Sequence, residues 1–187
     1  VTDYNPLDDQ REEEARGRNK QVAMIIAVLA ALLTIAEILG QSSQTRTLQS
    51  NIEAANLWSF YQAKHVRETA LTIAAEEMEA ILPGVKDQQQ HQAMQRRIDE
   101  WRAMAAHYQS DPAGKEGRKE LATRAKDAEN SRDEAEHLHH LYELARGSLQ
   151  IAIVLASASI ITEVWTLLWG TAALSGLALL LLAAAIL

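Results

Sequence analysis

Apolar residues in this chain are segregated into two blocks. One runs from Val22 to Leu39, and the other from Ser148 to the end, broken only by Glu163. Nearly all charged residues lie before or between them. At ~1.5 Å rise per residue, Val22–Leu39 nearly crosses a hydrocarbon core of about 30 Å. The second block is too long for one span. A carboxylate is costly in lipid, so the break is expected around Thr162, Glu163 and Val164. The pattern predicts an all-α integral membrane protein. It has three transmembrane helices, with a long helical coiled-coil-like hairpin inserted between the first and second.

The expected organisation is an acidic and basic tail over 1–20, a first span over 21–40 and an extramembrane domain over 41–146. A second span covers 147–163 and a third 164–187, with Trp165 and Trp169 as interfacial anchors. A cleaved signal peptide is the rival reading of the first apolar run. Acidic Asp8, Asp9 and Glu12–Glu14 stand ahead of that run, and no clean small-residue cleavage site follows it, so a retained helix is expected. Asp8–Glu14 itself reads as a solvated or weakly helical segment. Arg11, Arg16, Arg18 and Lys20 crowd the near side of the first span, while only Arg46 lies close on its far side. By the positive-inside rule the N-terminus is expected in the cytoplasm and the 41–146 domain outside.

Between the blocks the chain reads as helix. Gln41–Leu82 contains no glycine or proline and continues the first span until Pro83 and Gly84 stop it. A second helix is expected from Lys86 to Ser110, with Met94, Ile98, Trp101, Ala105 and Tyr108 at coiled-coil spacing. Residues 111–114 interrupt it. A third helix from about Lys115 presents Leu121, Ala125, Ala128, Ala135, Leu138, Tyr142 and Ala145, then enters the second span. The outgoing helix of ~42 residues measures about 63 Å. The returning pieces of roughly 25 and 31 residues suit an antiparallel hairpin with a kinked return arm. Both seams are short and rich in alanine. The surface they bury, at about 25 cal/mol per Å², barely offsets chain ordering. Packing against further copies or another protein is therefore expected.

Two stretches are distinctive: AANLWSFYQAKH over Ala54–His65, and His139-His140 followed by SLQIAIVLAS over Ser148–Ser157. They occur in the order apolar helix, W-x-x-Y-Q-A-K segment, charged helical region and apolar hairpin. In this the chain resembles the bacterial family known as domain of unknown function 4337, over nearly its whole length. Trp58, Tyr61, Gln62, Ala63 and Lys64 carry the likeness most specifically. The resemblance implies a small protein of the bacterial inner membrane. It implies no activity. The chain departs from expectation in carrying Glu163 at the hairpin turn, where basic residues would be anticipated.

Several candidate sites compete with plainer readings. In EAEHLHHLYE, Glu136, His137, His139 and His140 include pairs three and four apart, a spacing able to offer ligands to zinc. The plainer reading is a polar stripe outside the membrane. Trp58, Phe60, Tyr61 and Lys64 suit a ligand or partner site, or an aromatic packing node, and the node is preferred. Glu37 at the outer end of the first span is a candidate for an ion path. Ala152 with Ala156, and Ala172 with Gly176, are small-xxx-small pairs suited to close helix packing.

The absence of cysteine excludes disulfides, thiolate zinc sites and cysteine nucleophiles. A net charge of −7 argues against nucleic acid. No phosphate-cradling loop, nucleophile elbow or H-E-x-x-H occurs, so neither an enzyme nor a cofactor is expected. The expected partners are the lipid bilayer and either further copies or a larger membrane complex. The leading functional expectation is a scaffold or accessory subunit. A periplasmic metal or ligand sensor is the first alternative, and an oligomeric ion or solute channel the second.

Overall fold

The computed structural model describes residues 6–186, with side chains described over 16–185. No strand occurs among the described residues. Four helices follow one another: α1 (Pro6–Ile81), α2 (Gln88–Gln109), α3 (Arg118–Thr162) and α4 (Thr166–Ile186). The backbone of residues 6–20 is helical, the second of the two readings, solvated or weakly helical, that the sequence offers for Asp8–Glu14. The side chains of Asp8–Glu14 lie outside the described residues.

Pro83 ends α1. It sits in a short 3-10 turn, Leu82–Gly84, since proline cannot donate the next helical hydrogen bond. Asp87 caps α2 by accepting from the backbone N–H of Gln89 at 2.8 Å. The α2–α3 connection is tight. The backbone N–H of Lys115 donates to the Asp111 carbonyl at 2.8 Å, and Lys115 takes a φ of 55°. A side chain at Gly117 would place its Cβ 2.3 Å from the Asp111 backbone nitrogen. This loop explains why α3 begins at Arg118 rather than near Lys115.

The chain forms two compact units. The first comprises residues 1–46 with 134–187, and the second residues 47–133. The first unit holds the core Leu29 and Ala36 of α1, Tyr142, Ala145, Leu149 and Ala152 of α3, and Ala178 and Leu182 of α4. Helices α1 and α3 approach closely at Gly40, whose added Cβ would lie 3.3 Å from the Tyr142 Cβ. Buried Thr171 on α4 bonds its own helix at Leu167 (3.2 Å) and reaches the Ala152 carbonyl at 3.4 Å. That satisfies a hydroxyl that would otherwise be costly in an apolar core. Three helices, α1, α3 and α4, are long and apolar enough to cross a membrane. The break between α3 and α4 falls at Glu163–Trp165, with Glu163 at φ 57°.

In the second unit Ala54 and Leu57 of α1 pack on Leu121, Ala125 and Ala128 of α3. Ala75 of α1 and Leu82 pack on Ile98 of α2, flanked by Met78, Met94 and Trp101. The α2 and α3 positions read as seams from the sequence thus face inward. Ile98 is fully buried, Ala105 is buried and Tyr108 is half-buried.

Candidate functional site

The aromatic segment of α1 is the most elaborately bonded place in the second unit. Residues three, four and seven apart share one helix face, so Trp58, Tyr61, Lys64 and Glu68 point the same way. Trp58 donates its indole N–H to Glu129 Oε1 of α3 at 2.8 Å. Its ring meets Tyr61 edge-on, with centroids 5.4 Å apart. Arg118, at the start of α3, pairs with Glu68 and donates to the Tyr61 hydroxyl at 2.9 Å. Its guanidinium also lies over the Tyr61 ring, 4.9 Å from the centroid. The hydrogen bond to Glu68, then that to Tyr61, raise the Arg118 pKa further, so the guanidinium stays charged. The Nε of Arg118 is buried without a hydrogen-bond partner. Lys64 reaches Glu116 at 3.7 Å and lies over the ring of Tyr108 of α2, 5.4 Å away.

Trp58, Tyr61 and Lys64 therefore knit α1 to α2 and α3. Their donors and charges are spent on in-chain partners, and no nucleophile is presented beside a base. Gln62 and Ala63, in the same motif, are exposed on the other side of α1. The partners Arg118 and Glu129 carry no sequence signal linking them to the motif.

At the α2–α3 turn, Glu120 accepts from the Ser110 hydroxyl at 2.7 Å and from the Asp111 backbone N–H at 3.1 Å. The hydroxyl bond is the main reason its carboxyl lies below the usual carboxylate range. The acid also stands in the first turn of α3, where the helix N-terminus favours negative charge.

The first unit has two polar places. In one, the His139 Nδ1–H donates to the Gly40 carbonyl at 3.0 Å. The other ring nitrogen lies 3.7 Å from Glu143, which is 3.7 Å from Arg146. These side chains border an open cleft of about 260 Å³ that Gln41, Gln44 and Glu37 complete. Glu37 lies exposed on the rim, and the α1 positions turned to the core are Ala36 and Gly40. Its carboxylate does not enter the interior of the three-helix core. At the other place, the Arg18 guanidinium lies 5.5 Å from the Trp165 ring centroid. Arg18, Ser159, Glu163 and Trp165 line a small pocket there, of about 40 Å³.

Among the described residues no group of three or more His, Cys, Asp or Glu is placed to hold a metal ion. At about 100° per residue, Glu136, His137 and His140 turn outward and are exposed, while His139 turns toward Gly40. The small-residue pairs divide. Ala152 and Ala156 are fully buried. Ala172 and Gly176 are exposed, and a Cβ added at Gly176 would meet nothing within 4 Å. Helix α4 packs instead through Thr171, Ala178 and Leu182.

No curated protein and no solved structure matches the chain. The model of a family described as "Domain of unknown function (DUF4337)" matches residues 18–187. Its span takes in the Trp58–Lys64 node, the Gly40–Tyr142 contact and all three apolar helices, and the chain belongs to that family.

Proposed function

We propose that this protein is a non-catalytic membrane scaffold or accessory subunit that works by self-association or by joining a larger membrane complex. One observation carries the reading. Among the described residues only Ile98 and Leu149 are large and fully buried. The cores of both units are otherwise built mainly from alanine. In the second unit such a core buries little surface from water at about 25 cal/mol per Å², and in lipid small-residue faces gain from close packing, so the helices gain from neighbours. The open Ala172–Gly176 face of α4 suits close approach by another helix. Mass measurement of the full chain in nanodiscs or mild detergent is expected to give a homo-oligomer or a stoichiometric complex. A monomer at working concentration overturns the proposal.

On this reading the apolar parts of α1, α3 and α4 span the bacterial inner membrane, and residues 41–146 form a coiled-coil-like hairpin in the periplasm. Arg18 beside Trp165 supports a common side for the N-terminal segment and the α3–α4 turn. It also supplies positive charge at a turn whose own residue is Glu163. The positive-inside rule then favours the cytoplasm for both. The chain has no cysteine, so single substitutions report cleanly. With the outer membrane permeabilised, an impermeant thiol reagent is expected to label Ser110→Cys and spare Thr2→Cys. The reverse pattern places the helical domain in the cytoplasm.

A further inference from the structure

Within the second unit, α1 has two apolar faces, and only one is used. Ala54, Leu57, Tyr61 and Ala75 face α2 and α3. Roughly opposite, at about 100° per residue, stand Leu48, Ile52, Val66, Ile73 and Ile81, with Phe60 at the edge. These six are between 48% and 67% exposed. An apolar surface of this extent in water calls for an occupant.

We propose that this outward face is the seam on which a second copy of the chain docks, its α1 parallel and in register; the inference rests on the self-association reading. Three features select that occupant. The first is periodicity. Leu48, Ser59, Ala70 and Ile81 stand eleven apart, as do Ile52 and Ala63, and Ala55 and Val66. An eleven-residue repeat stays on one face of a nearly straight helix. A two-fold axis along the stripe sets every residue against its own copy, with matching length and phase. The alanines and Ser59 let the backbones approach.

The second feature is charge. The edges carry Gln49, Asn56, Gln62 and Thr69, with Arg67 the exposed basic residue among them. A helix lying on a lipid surface is rich in lysine and arginine along its polar face, and this one is not. The third is extent. Large apolar side chains recur on this face from Leu48 to Ile81, the whole length of α1 within the unit, each about half or more exposed. The parallel direction follows because the same unbroken α1 carries Val22–Leu39. Two copies anchored in one bilayer leave it the same way.

Glu77 interrupts the stripe between Ile73 and Ile81. It stands eleven after Val66, so a parallel pair brings two like charges together there.

The test uses the full chain in nanodiscs, with single cysteines placed on the cysteine-free background. On mild oxidation Ser59→Cys and Val66→Cys are expected to give disulfide-linked dimers. The exposed His65→Cys and Glu53→Cys, on other faces of α1, are expected not to. The double substitution I52D/V66D is expected to weaken association roughly tenfold or more, the scale of 1.4 kcal/mol, with helicity unchanged. Glu77→Leu is expected to strengthen it. Equal cross-linking at all four positions, or none with the protein still oligomeric, overturns the seam and leaves the self-association reading standing. A monomeric wild-type chain overturns both. Quenching of a fluorophore on Val66→Cys by bilayer-embedded quenchers would make the occupant lipid and overturn the seam.

Discussion

The Arg118–Glu68 pair is the residue whose loss the second unit should feel most. Both side chains are under one-fifth exposed, and Arg118 also serves Tyr61. Glu68→Ala leaves a guanidinium half-desolvated, with its Nε already unpartnered. We expect thermal denaturation to register a loss of about 1–3 kcal/mol. The double variant Glu68→Ala with Arg118→Ala should cost less than the sum of the two. The inward half of this cluster was legible in the sequence, because Trp58, Tyr61 and Lys64 fall on one helix face. The other half was not. Arg118 lies 57 residues beyond Tyr61, and Glu129 lies 71 beyond Trp58. Helical periodicity carries no information across such separations.

Element ends follow local chemistry, and most were readable. Pro83 stops α1, and Asp87 starts α2 through its carboxylate. The α2–α3 turn was readable only as an interruption, because its closure depends on Glu120 reaching back to Ser110 and Asp111. Two expectations belong to this element. Gly117→Ala would drive a methyl into backbone atoms that cannot step aside. It should lower stability by about 1–3 kcal/mol, seen as a lower midpoint in a denaturant series. The Glu120 carboxyl is held below its unfolded value. Its contribution is therefore present above the unfolded pKa and lost as pH falls through the folded one. Glu120→Gln should flatten that part of the acid-denaturation profile and leave the neutral-pH slope unchanged. The helical backbone over 6–20 was only half legible, because a run of acids followed by bases reads equally well as a solvated tail.

For the molecule as a whole, apolar segregation made the three long apolar helices legible from composition alone. Which small residues pack within the chain was not legible. Ala152 and Ala156 enter the core while Ala172 and Gly176 stay open, although the two pairs look alike in sequence. Helical phase relative to a neighbour decides between them, and apolar helices rich in alanine offer several phases of nearly equal appeal. Gly40 supplies a test of the first unit. Its Cα faces the Tyr142 Cβ closely enough that alanine is already tight. Gly40→Leu should force α1 and α3 apart and lower the thermal midpoint in detergent, at a cost of about 1–3 kcal/mol.

The α3–α4 joint has a consequence for biogenesis. Only Glu163, Val164 and Trp165 separate Thr162 from Thr166, and three residues reach at most about 11 Å. On the proposed membrane topology, neither helix can be handed to lipid while the other waits in the translocation channel. The two must partition laterally as one insertion event. The apolar stretch of α3 is the less hydrophobic of the two, so on that topology α4 is expected to supply the larger share of the drive into lipid.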